Sequence, residues 1–123
     1  VRTLKVARIQ RLIQLKKTFE RPPTFSLANH FQGAFGIFQA EKRQTIRAEF
    51  TGWAATNVRE IRWHTSQEII SDKNNAVIAR FELDSTVEFK RWILGFGQHA
   101  RVLSPDAFAD EVRADLEQAL RLY

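Results

Sequence analysis

TIRAEFTGWAATNVREIRWHTSQEIISDKNNAVIARFEL, residues 45–83, changes its hydrophobic period repeatedly, and the order of those changes decides the fold. Ile46, Ala48 and Phe50 alternate with Arg47, Glu49 and Thr51, the two-residue period of a half-buried strand. Gly52 turns the chain into a stretch where Trp53, Ala54, Asn57, Val58 and Ile61 share one side of a helix. RWHTSQEII (62–70) predicts a second strand, and Ser71 to Asn75 a polar turn. Val77, Ala79, Phe81 and Leu83 then alternate with Ile78, Arg80 and Glu82, giving a third strand that pairs with the second as a hairpin.

Toward the C-terminus, Ser85-Thr-Val-Glu88 has the spacing of a capping box, in which hydroxyl and carboxylate satisfy each other's free amide donors. The helix it opens is expected to bury Phe89, Trp92, Ile93 and Phe96 and to end at Gly97. Ala100 to Leu103 predicts a short fourth strand. Ser104-Pro105 predicts an N-cap and first helical residue, leading into a helix with Phe108, Val112, Leu116, Ala119, Leu120 and Tyr123 at helical spacing. From Thr45 the order is β-α-β-β-α-β plus a final helix. This is an α+β, ferredoxin-like split sheet, compact only with a right-handed crossover. Trp53, Trp63 and Trp92 all read as core, each lying in an apolar register.

Toward the N-terminus the pattern is less clean. VRTLKVARI (1–9) reads as a basic strand without an apolar side, and Ile9 to Lys17 suits either strand or one helical turn. Pro22 and Pro23 end whatever precedes them. Ser26 offers an N-cap to a short helix carrying Leu27, Phe31, Ala34, Phe35 and Phe38, weakened by Gly33 and Gly36. GAFGIF (33–38) has the glycine-aromatic look of a nucleic-acid-binding RRM strand, but lacks its leading cation and falls in the helical pattern, so packing is expected. Gln39 to Gln44 is the candidate linker.

Composition narrows the function classes. Apolar residues at 44% and charged residues at 27% belong to a folded globular chain rather than a disordered one. With neither cysteine nor an apolar run of spanning length, disulfides, thiolate metal sites and a membrane helix are not expected, and a cytoplasmic protein is. Residues 1–47 hold 10 Lys or Arg against 2 acidic residues, whereas residues 48–123 hold 9 against 12. The N-terminal part is therefore the part suited to an anionic partner. No GxSxG, phosphate loop, HExxH or dinucleotide fingerprint occurs, and His30, His64 and His99 lie far apart, so neither an enzyme nor a cofactor or metal site is expected.

Four segments in order resemble the C-terminal part of WYL-type transcription regulators. VRTLKVARI looks like the last strand of the WYL barrel, and TFERPPTFSLANHFQGAFGIF like the segment leaving it. FTGWAATNVREIRWHTSQ and FKRWILGFGQHARVLSPDAF look like the body and close of the WYL C-terminal extension, the WCX domain. The resemblance implies three regions: residues 1–21 as the end of a barrel, 22–44 as a linker with a short helix, and 45–123 as a WCX-type ferredoxin-like domain. It further implies the sensing and dimer-forming region of a bacterial regulator, answering to a nucleic acid, nucleotide or other anionic effector. Such regulators reach promoter DNA through a helix-turn-helix, which these residues do not contain. The WYL tripeptide is also missing, and with no methionine and a start in mid-pattern the chain reads as part of a longer protein.

Candidate ligand contacts follow. Arg2 and Arg8 match the paired arginines of the last barrel strand, and equal parity puts them on one face, about 20 Å apart. Their forked donors fit phosphate, though ordinary exposed barrel arginines would look the same. Arg59, Arg62, His64 and Gln67 surround the WHTSQ stretch, with His64 and Ser66 expected on the open face of the sheet. The competing reading has His64 and Gln67 hydrogen-bonding locally to shape the hairpin. For the whole region, ligand sensing competes with constitutive dimerisation.

Overall fold

The computed structural model describes residues 6–31 and 43–123. Four strands form one sheet: β1 (Gln44–Thr51), β2 (Glu68–Lys73), β3 (Ala76–Leu83) and β4 (Ala100–Ser104). Their order is β2-β3-β1-β4, and every neighbouring pair is antiparallel. The helices are α1 (Leu27–Phe31), α2 (Gly52–Glu60), α3 (Val87–Leu94) and α4 (Asp106–Leu120). Helix α2 connects β1 to β2, and α3 connects β3 to β4, which makes this the ferredoxin-like α+β arrangement with α4 appended.

The alternation in β1 and β3 builds the core. Ile46 lies opposite Phe81, Ala48 opposite Ala79, and Phe50 opposite Val77, all buried completely. Ala54, Ala55 and Val58 of α2 and Phe89 and Ile93 of α3 cover that face. Trp92 joins the layers, its ring within 5.0–5.8 Å of Phe50, Trp63, Phe81, Phe89 and Phe96. The other face of the sheet is polar: Arg101 donates to Glu49 at 2.6 Å, and Arg80 reaches Glu68 and Glu82 at 3.0 and 3.4 Å. Arg47, exposed and directly opposite Arg80, makes no ion pair among the described residues. This face carries no aromatic ring among the strand residues opposite one another, so it is not a base-stacking platform.

Several expectations shift. The second strand begins at Glu68, not Arg62, and runs to Lys73, so the hairpin turn shrinks to Asn74-Asn75. Both asparagines have positive φ, 54° and 60°, as a two-residue type I′ turn requires, and asparagine tolerates that conformation. The register slips between Ile69 and Ser71, placing both Ile69 and Ile70 at an exposed edge and destroying the alternation. Helix α3 starts after Thr86. Ser85 Oγ accepts a long 3.4 Å bond from the Val87 amide, and the residue at the N-cap position is Thr86, one later than the spacing predicts. Pro105 takes the N-cap position of α4 that Ser104 was expected to fill. Trp53 and Trp63 are not core: they are 53% and 39% exposed.

In the N-terminal part, Val6–Arg8 form a 3-10 turn rather than the end of a strand. Ser26 does cap α1, accepting from the Asn29 amide at 3.3 Å. Arg2, the second half of the predicted short helix with GAFGIF, and Gln39 to Lys42 of the linker lie outside the described residues.

Candidate binding surface

The loop between α2 and β2, residues 61–67, gathers most of the predicted site residues, and its chemistry is that of a clasp. Gln67 is the hub. Its side-chain carbonyl accepts from the Trp63 amide at 2.8 Å, while its amide donates to the carbonyls of Val58 and Ile61 at 2.9 and 3.1 Å. Those two carbonyls belong to the end of α2, where carbonyls lack partners within the helix, so Gln67 caps the helix from a distance. Asn57, one turn before that end, accepts from the indole N–H of Trp63 at 2.9 Å.

Ser66 fastens the other end of the loop. Its hydroxyl accepts from the Glu82 amide at 2.8 Å and lies 3.0 Å from the Glu82 carbonyl, tying the loop to the close of β3. His64 is buried rather than on the open sheet face. Its Nδ1 lies 2.7 Å from the Ser66 hydroxyl and 3.1 Å from the Ser66 amide. Sequence alternation misplaced this residue because the loop has strand-like parity without strand pairing.

The arginines are engaged as well. Arg62 donates to the carbonyl of Thr65. Arg59 grips Asp72 with both arms of its fork, at 2.8 and 2.7 Å, fixing the end of α2 to β2. Those hydrogen bonds hold the Asp72 carboxyl below its ordinary range and raise Arg59 above its own. Arg59, Arg62, His64 and Gln67 thus come together, each with polar atoms turned to its own domain. Arg8 lies apart from them on the exposed N-terminal turn. Among the described residues no group of His, Cys, Asp or Glu is placed to hold a metal ion.

A second surface, unforeseen in the sequence, lies where α2 begins. Trp53 is exposed, with Phe96 5.1 Å beneath it and His99 6.1 Å away, edge-on. Gly52 permits this approach. Its φ is +51°, and a Cβ there would sit 3.1 Å from His99 Nδ1. Gly52→Ala is expected to destabilise the domain by more than about 1 kcal/mol, since alanine resists positive φ and must also displace the ring. Urea unfolding of the variant checks this; an unchanged midpoint would mean that neither the backbone conformation nor the His99 contact constrains this position.

A two-layer ferredoxin-like domain serves many unrelated functions, so the fold and the pinned α2–β2 loop do not by themselves assign one. Residues 40–120 match the model of the WCX domain family, and the chain belongs to that family. WCX is the C-terminal extension of WYL-type regulators, which is not an enzyme family. No curated protein matches the chain. No helix among the described residues is long and apolar enough to cross a membrane.

Proposed function

We propose that the chain is the effector-sensing and dimer-forming region of a cytoplasmic, DNA-binding transcription regulator, with a nucleic acid, nucleotide or other anionic molecule as effector. The observation that carries this reading is the pairing of a WCX domain with an exposed basic arm. Residues 6–21 hold Arg8, Arg11, Lys16, Lys17 and Arg21 against a single acid, Glu20, and all are exposed. Guanidinium and ammonium groups held outside the core serve phosphate-rich ligands by charge and, for arginine, by forked hydrogen bonds. Arg2 and Arg8 are the first side chains to test.

Binding of a single-stranded oligonucleotide at several salt concentrations tests the reading. Removing one arginine–phosphate pairing should flatten the slope of log affinity against log salt by about 0.7. Arg2→Ala with Arg8→Ala is therefore expected to weaken binding and to reduce the slope by up to about 1.4. Unchanged affinity and slope in the double variant would remove these arginines from the site. A second reading, constitutive dimerisation without a ligand, draws its support from the clasp. Arg59, Arg62, His64 and Gln67 spend their polar groups on their own domain, which is what a rigid assembly module needs.

A further inference from the structure

Helix α4 is longer than its own domain requires. Phe108 is buried and Val112 packs on the core, but the same stripe continues through Leu116 and Leu120, one turn apart each time, into solvent. Leu116 is 47% exposed and Leu120 74%. The helix is also acidic: Asp106, Asp110, Glu111, Asp115 and Glu117 stand against one cation, Arg113. Lys90 of α3 reaches Asp115 at 2.9 Å and Glu111 at 3.9 Å, and Arg113 takes Asp110 at 2.9 Å. Asp106 and Glu117 have no ion pair among the described residues.

The N-terminal arm has the complementary character. Five cations and one acid are interleaved with Ile9, Leu12, Ile13, Leu15 and Phe19, every one of them exposed. Its backbone hydrogen bonds among the described residues are local, from Ile9 to Val6 and from Phe25 to Pro22. The arm thus has apolar side chains to bury, unpaired peptide groups and positive charge, while α4 offers an apolar stripe flanked by carboxylates. Within one chain the two do not cover each other, since Leu15 remains 70% exposed alongside exposed Leu120.

We propose that α4 is the docking surface for the basic arm of a second copy of this chain, with residues 9–19 lying along the Val112–Leu116–Leu120 stripe and the lysines facing its carboxylates. Each copy carries one arm and one acceptor helix, so a two-fold exchange satisfies both surfaces twice and closes without further growth. The inference rests on the dimer-forming part of the function proposed above and names the surface responsible.

The absence of cysteine from the chain makes a direct test clean. Two preparations of the full chain, Leu15→Cys and a size-tagged Leu120→Cys, are mixed under mild oxidation and resolved without reductant. The expected product is the mixed cross-linked pair, in excess over either like pair. Adding Lys16→Glu and Lys17→Glu to the first preparation should lower its yield roughly tenfold, because like charges then meet. Light scattering of the unmodified chain separates the outcomes. A dimer mass with no excess of mixed product overturns the α4 assignment but leaves dimerisation standing, whereas a monomer mass removes both. A cross-link that forms only within one chain, when both cysteines are placed in it, also overturns the proposal.

Discussion

Trp92→Ala is expected to destabilise the domain by roughly 3–5 kcal/mol, the range for removing a large aromatic from packed surroundings. Five rings lie within 5.0–5.8 Å of this side chain, drawn from β1, the 61–67 loop, β3, α3 and the segment after it. Each favourable aromatic pair adds about 0.5–1.5 kcal/mol beyond area burial, and removing Trp92 disturbs several together. A domain of this size has about 5–15 kcal/mol of total stability, so the variant should be close to unfolding. Urea denaturation followed by circular dichroism measures the change without depending on tryptophan emission. Glu82→Gln is the control, since this partly exposed side chain sits on the polar face and should change stability by no more than about 0.5 kcal/mol. Similar losses at both positions would contradict the face assignment of β3.

The parts of the fold legible in sequence were those whose packing repeats the local period. β1 and β3 occupy the centre of the sheet with one face fully covered, so Ile46-Ala48-Phe50 and Val77-Ala79-Phe81-Leu83 alternate without interruption. β2 lies at an edge with a register slip at Ile70, where nothing forces alternation, and its bounds differ by several residues from those the pattern predicts. The strand-like rhythm of RWHTSQ came from side chains that bond to α2 and β3 rather than from pairing with a neighbouring strand. Helix α4 was legible in period but not in burial, because the stripe outruns the core it starts on. Trp53 and Trp63 show the converse limit: an aromatic in an apolar register can close the rim of a core and remain exposed.

The site was legible in residue type more than in role. Arg59, Arg62, His64 and Gln67 do cluster, yet their hydrogen bonds could not be assigned without knowing that α2 ends beside the loop. Glu82, Asn57 and Asp72 complete the clasp, and their roles gave no signal because Asn57 and Asp72 meet partners that only the turn after α2 brings near, while Glu82 acts through its backbone. Charge asymmetry along the chain was legible directly, and it is the feature that both the effector reading and the arm-docking inference use.

Ser66→Ala tests the clasp and, with it, the choice between ligand contact and scaffold for its neighbours. The hydroxyl serves the amide and carbonyl of Glu82 and meets the buried His64 ring, so its removal leaves part-buried polar groups without this partner. Unsatisfied groups of this kind cost about 1–3 kcal/mol, and about 2 kcal/mol is expected here. Gln67→Ala strips three hydrogen bonds that are partly open to water, and its expected cost is about 1–2 kcal/mol. The two residues hold one loop, so the double variant should cost less than the sum of the singles. Urea midpoints give these values, and the salt slope of oligonucleotide binding, measured where each variant remains folded, gives the second axis. A scaffold role predicts reduced stability with an unchanged slope. A variant of Gln67 that keeps full stability but loses affinity would place this residue against the effector and return the loop to the binding site.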